Sequence, residues 1–152
     1  MGAAEQILDR CKDLQNIFIF VSMDDEVDTR PIIRRLLEDK KMVIVPISNP
    51  EDYSMKISVI SSLADLKKST YGVYEPKDER PFDKNDVDIF IVPGTCFDKQ
   101  GNRKGRGKAY FDRFLKDVKG KKPIIGLCKK EQMVDCIRPN PWDVPVDEVV
   151  VD

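Results

Sequence analysis

Four short runs constrain this fold more than anything else in the chain: IFIFVS (17–22), MVIVPI (42–47), DIFIVP (88–93) and PIIGLC (123–128) are almost wholly apolar. A strand of that kind has no face to show to water. It belongs in the interior of a mostly parallel sheet covered by helices on both sides. Helical spacing lies between the runs. Ile7, Leu8, Cys11 and Leu14 predict a helix over 4–15. Ile32, Ile33, Leu36 and Leu37 predict another, from an N-cap at Thr29 with Pro31 in the first turn to Lys40. Tyr110, Phe114 and Val118 lie four apart beside Phe111 and Leu115, and predict an amphipathic helix over 108–118. MKISVI (55–60) and EVVV (148–151) read as strands, SLADLKKS (62–69) and EQMVDCI (131–137) as short helices, and YGVYEPKDERP (71–81) as a turn-rich crossing. A length of 152 residues suits a single α/β domain, and no repeat or low-complexity linker divides it.

Charge and composition exclude several functions. Lys and Arg number 26 against 27 Asp and Glu, so no global field draws the chain to nucleic acid or membrane. No apolar run is long enough to span a bilayer, and MGAAEQILDRCKDLQ lacks a signal pattern. Gln6 stands where a myristoylation motif needs Ser or Thr. Cys11, Cys96, Cys128 and Cys136 show neither CxxC spacing nor disulfide density, so they read as reduced thiols of a cytoplasmic protein. Histidine is absent, which removes Ser-His and Cys-His nucleophiles and the commonest general base. Any catalysis must rest on positioning, charge stabilisation, carboxylates or a hard metal ion.

Ligands of open α/β sheets bind beyond the carboxyl ends of the strands. Two loops are placed there: SMDDEVDT (22–29), and a stretch after DIFIVP in which Gly101, Gly105 and Gly107 interleave with Arg103, Lys104, Arg106 and Lys108. Glycine lets backbone amides approach phosphate closely, and the cations add charge-assisted bonds. This is no Walker A loop, because Asn102 and Ala109 stand where that motif needs Gly and Ser or Thr. The residues alone leave three readings open: a solvated basic loop, a nucleic-acid contact, or a cradle for a nucleotide or phosphorylated ligand. Asp112 reads either as a first-turn carboxylate pairing with Lys108 at i,i+4 or as a Mg²⁺ ligand. Glu26, among Asp24, Asp25 and Asp28, reads equally as loop solvation.

Together, four segments resemble the 5-formyltetrahydrofolate cyclo-ligase (methenyltetrahydrofolate synthetase) family. FVSMDDEVDTRPII (20–33) resembles its first strand and E-[VI]-[DE]-T loop, and YGVYEP (71–76) its G-I-x-E-P segment. IVPGTCFDKQGNRKGRGKAYFDRFL (91–115) is similar to the hallmark V-P-G-x-x-F-D-x-x-G-x-R-x-G-x-G-x-G-Y-Y-D, and WDVPVDEVV (142–150) to the closing D-V-P-V-D-x-V. The resemblance implies a three-layer Rossmann-like α/β fold. It also implies conversion of 5-formyltetrahydrofolate and ATP, with Mg²⁺, to 5,10-methenyltetrahydrofolate, ADP and phosphate. In that reaction the formyl oxygen is phosphorylated before folate N10 attacks, a mechanism that needs no histidine.

Carried over, Arg103, Lys104, Gly105, Arg106, Gly107, Lys108, Ala109, Tyr110 and Phe111 would cradle the ATP phosphates. Arg106, Lys108 and Tyr110 would be catalytic, with Arg106 and Tyr110 facing the formyl-bearing end of the folate. Glu26 would bond the pterin, Val21, Met23 and Met55 would form its apolar wall, and Asp112 and Asp143 would hold Mg²⁺. Ala109 and Phe111 depart from the hallmark's third glycine and second tyrosine. The helix at 4–15 aligns with the family's second helix, which implies that its first, bearing a K-x-x-x-R pair, is missing; Arg10 and Lys12 do not replace it. The expected partner is a reduced folate, with neither nucleic acid nor membrane, in a monomer or small homo-oligomer. A catalytically weak folate- or nucleotide-binding sensor or storage protein is the alternative.

Overall fold

The computed structural model describes residues 2–69 and 72–152; Tyr71, in the segment likened to G-I-x-E-P, lies outside them. Helix α1 (Ala3–Cys11) leads into β1 (Asn16–Ile19), α2 (Arg30–Glu38), β2 (Met42–Asn49) and β3 (Ser54–Ile60). Strands β4 (Leu66–Lys68), β5 (Tyr74–Pro76), β6 (Ile89–Val92), β7 (Cys96–Phe97) and β8 (Arg103–Lys104) follow, then α3 (Tyr110–Leu115), β9 (Ile124–Cys128) and β10 (Glu148–Val151). The main sheet has the order β10-β9-β6-β1-β2-β3, parallel throughout except for the antiparallel edge strand β3.

The apolar runs occupy the middle of that sheet, and successive side chains enter different layers. Ile17, Ile19, Val43, Val45, Ile89 and Ile91 pack with Ile7 and Cys11 of α1 and Ile32, Ile33 and Leu36 of α2. Phe18, Ile44, Phe90 and Val92 pack on the other side with Phe114 and Leu115 of α3. Phe114 lies 5.2 Å from the Phe18 ring and 5.8 Å from that of Phe90. Helices on both faces make three layers, as the apolar runs require.

Two expected helices do not form. In 62–69 a single 3₁₀ turn, Leu63–Asp65, is capped by Ser62 Oγ, after which β4 pairs antiparallel with β5. Too few apolar residues recur at helical spacing here to bury a face, whereas the extended chain gains a partner in β5. In 131–137 only Lys130–Gln132 turns, because Val134 N donates to Phe97 O and Ile137 N to Asp98, diverting the amides a helix would use. The third predicted helix is shorter than expected, starting at Tyr110. Thr29 precedes α2 but does not cap it through its side chain. All four cysteines are free, and burial pushes the Cys11 and Cys128 thiols up to about 11. Among the described residues no helix is long and apolar enough to cross a membrane.

Candidate active site

The chain leaves β1 through buried Phe20 and Val21 and enters the acidic loop. Ser22 and Thr29 close that loop reciprocally: Ser22 N donates to Thr29 Oγ1 at 3.0 Å, and Thr29 N to Ser22 Oγ at 3.0 Å. The hydroxyl expected to cap α2 is engaged here instead. Inside the loop Met23 N donates to Glu26 Oε1 at 2.8 Å, which draws the glutamate inward until its side chain is 8% exposed. Burial raises the Glu26 pKa above its ordinary value, against the lowering pull of Met23 N and Arg106.

The glycine-basic loop is built around two buried charges. Asp98 accepts from the amides of Gln100, Asn102 and Ile137 and from Asn102 Nδ2, at 2.9–3.0 Å. Burial works against its charged form, but these bonds outweigh it and hold the carboxyl below its usual range. Gly101 turns the β7–β8 hairpin at φ 87°, where an added Cβ would collide with the Val146 carbonyl. Arg103 then runs inward, 4% exposed, donating from Nε to Pro93 O at 2.8 Å and lying 3.5 Å from Asp112 Oδ1. The same Asp112 oxygen accepts from Val144 N at 3.0 Å, which ties the loop to the closing D-V-P-V-D segment. Burial lowers the Arg103 pKa, and the Asp112 charge counters it. Asp112 thus pairs with Arg103, and no ion pair to Lys108 forms.

The outer cations behave differently. Arg106 is half exposed and reaches back to the acidic loop, with Nη2 2.9 Å from Asp25 Oδ1 and 3.7 Å from Glu26 Oε2. Lys108 Nζ stands 5.4 Å from the Tyr53 ring centroid. Lys104 points elsewhere, donating to Arg138 O at 3.3 Å and lying 3.9 Å from Asp143.

These parts enclose a cleft of about 330 Å³ beyond the carboxyl ends of β1, β2 and β6. Val21, Met23, Glu26, Arg103, Gly105, Arg106, Lys108, Ala109, Tyr110 and Phe111 all line it. Lys104 and Gly107 fall outside the lining, as does Met55, which packs against the α3-side core. The sequence reading missed Pro46 and Ser48 of β2, and Tyr74 and Glu75 of β5. Glu75 Oε2 accepts from Ser48 N at 2.8 Å, and Arg30 stacks 4.7 Å from the Tyr74 ring. An acidic and an aromatic residue inside the quoted YGVYEP segment were the available signal.

A second groove opens on the other side of the loop, lined by Asp112, Arg113, Lys116, Trp142, Asp143 and Val144, and Ala109 lines both cavities. Asp112 accepts from the protein through Oδ1, and Asp143 through Oδ2, from Asn140 N at 2.8 Å. Carboxylate oxygens are the hard donors Mg²⁺ prefers. Among the described residues no group of three or more His, Cys, Asp or Glu is arranged to hold a metal ion by itself.

Sheet, crossover helices and a cleft at the strand ends define a doubly wound α/β enzyme fold of single-domain type. The model of the 5-formyltetrahydrofolate cyclo-ligase family matches residues 3–152, and the chain belongs to that family. It is 30% identical over 145 residues to the 5-formyltetrahydrofolate cyclo-ligase of Haemophilus influenzae, covering 92% of this chain and 77% of that one. With the mouse enzyme of the same name it shares 32% over 147 residues, covering 90% and 72%. The solution structure of Aquifex aeolicus 5,10-methenyltetrahydrofolate synthetase superposes with a TM-score of 0.76 at 29% identity, covering 98% of this chain and 77% of that one.

Proposed function

We propose that this protein converts 5-formyltetrahydrofolate to 5,10-methenyltetrahydrofolate, consuming MgATP and releasing ADP and phosphate. The observation that carries this reading is one loop standing between two unlike cavities, with Ala109 in the wall of each. The apolar cleft suits a flat pterin, and the groove bearing Asp112 and Asp143 suits a metal-bound polyphosphate. A reaction that joins a folate oxygen to a phosphoryl group needs the reacting ends of both ligands in one place, and the two cavities adjoin at Ala109.

Within the cleft, Val21 and Met23 offer an apolar wall while Glu26 accepts N–H bonds from the pterin edge. Ionised Glu26 serves best, so its raised pKa makes binding strengthen as pH rises through that value. Arg106 and Lys108 turn to the transferring phosphoryl group, where spread negative charge is stabilised most in a water-poor site. Tyr110 borders the same point. Arg103 stays with Asp112 and holds the loop's shape. Asp112 and Asp143 would hold Mg²⁺, which would supply charge neutralisation to the phosphates. Free cysteines throughout fit a reducing, cytoplasmic setting.

The test is turnover of 5-formyltetrahydrofolate with MgATP, followed by absorbance of the methenyl product. Wild-type protein forms product, and Arg106→Ala loses roughly ten- to a hundred-fold in rate, the value of a hydrogen bond to a charged group. Wild-type binding of folate or ATP without product would replace the ligase by the sensor.

A further inference from the structure

Tyr53 sits at the tip of a rigid arm. Strands β2 and β3 pair from Val43↔Ile60 out to Asn49↔Ser54, and the turn beyond is tied by its own side chains. Glu51 N donates to Asn49 Oδ1, Ser54 N and Oγ both donate to Asp52 Oδ1, and Tyr53 N donates to Asn49 O at 2.8 Å. Tyr53 itself has φ 60°, a left-handed conformation that glycine or asparagine takes at far less cost. A bulky residue held in such a conformation points to a use for its side chain.

The ring meets both flanks of the glycine loop's final turn. It lies 5.9 Å from the Tyr110 ring, edge to face at 89°, and its centroid is 5.4 Å from Lys108 Nζ and 6.0 Å from Arg113 Cζ. These are stacking and cation–π distances. Between Lys108 and Tyr110 stands Ala109, a second left-handed residue at φ 57°. Lys108 and Tyr110 line the cleft, while Tyr53 does not. The ring contacts residues of the cleft wall without belonging to that wall.

We propose that Tyr53 is a positioning residue: its ring fixes Lys108 and Tyr110 on either side of Ala109, at the lip of the cleft, in readiness for a phosphoryl group. The aromatic face does this and the hydroxyl does not. The kinetic half of this inference rests on the cyclo-ligase reading; the structural half does not.

Two measurements on wild type, Tyr53→Phe and Tyr53→Leu test it. In NMR spectra of protein with ¹³C-methylated lysines, one resonance, identified by its loss in Lys108→Arg, is shifted upfield by the ring. It keeps that shift in Tyr53→Phe and joins the other lysines in Tyr53→Leu, whose remaining resonances report that the variant is folded. In turnover, Tyr53→Leu raises KM for ATP roughly five-fold, the value of an aromatic cation contact. KM for folate is unchanged, and Tyr53→Phe behaves as wild type. An unshifted Lys108 resonance in an active enzyme, or wild-type kinetics in folded Tyr53→Leu, overturns the positioning role and leaves the ligase standing. A wild-type protein that forms no product overturns the ligase and the kinetic half together, and the lysine resonance then decides the structural half alone.

Discussion

The loop after β1 and the loop after β6 leave neighbouring strands of the sheet, carry clustered charge and meet where Arg106 reaches Asp25. The acidic loop is closed by neutral groups, the reciprocal Ser22–Thr29 pair, and its Glu26 and Asp28 carboxylates accept from neighbouring backbone amides without burying an ion pair. The basic loop is held by charge: Asp98 and Arg103 are buried and fully engaged, and only Arg106 and Lys108 are left for a ligand. Residues of one type in one stretch thus divide by depth into those that build the loop and those that can act from it.

Breaking the inner charge should have the largest effect. Arg103→Met leaves the Asp112 carboxylate buried and uncompensated, and should lower unfolding stability by about 3–5 kcal/mol in denaturant titration. Arg106→Met, in the same loop, should change it by less than about 1 kcal/mol because its ion pair is exposed. Equal losses would erase the division between inner and outer cations.

Next in size is the acidic loop's own brace. Thr29→Val strands the buried Ser22 amide and should cost about 1–3 kcal/mol in the same titration. Asp25→Asn, by comparison, should leave stability nearly unchanged.

Glu26→Gln sharpens the contrast through pH. The folded-state pKa of Glu26 is raised, so its contribution is fully present below the ordinary value of 4.5 and is lost as pH rises through the folded value. Wild type should therefore lose stability relative to Glu26→Gln on going from below 4.5 to neutral pH, as read by thermal unfolding. The opposite slope would mean that Arg106 outweighs burial. A small gain is expected from Ala109→Gly, which relieves a left-handed alanine at the cost of a freer unfolded chain and should stabilise by about 0.5 kcal/mol.

The sheet was legible because apolar runs such as IFIFVS and DIFIVP tolerate almost no other environment. The 62–69 segment was not, since its fate depends on β5, a partner that local spacing does not name. At the site, the glycines and cations announced a loop, and the family resemblance supplied roles for them. What one dimension hid was direction: nothing in the string distinguishes Arg103, turned inward to Pro93 O, from Arg106, turned outward to Asp25. Tyr53 was hidden for the same reason, being some fifty-five positions from Lys108 in the chain and beside it in space.

The contact between Arg106 and Asp25 gives the cleft an internal counter-ion. A passing inorganic anion must compete with a carboxylate already tethered beside the guanidinium, whereas a ligand anchored elsewhere in the cleft brings its own phosphate at comparable local concentration. Because the pair is solvent-exposed, releasing the arginine from Asp25 costs no more than about 1 kcal/mol. On the proposed function, Asp25 would reclaim the arginine as product departs, so affinity for the starting ligand need not slow the release of the finished one.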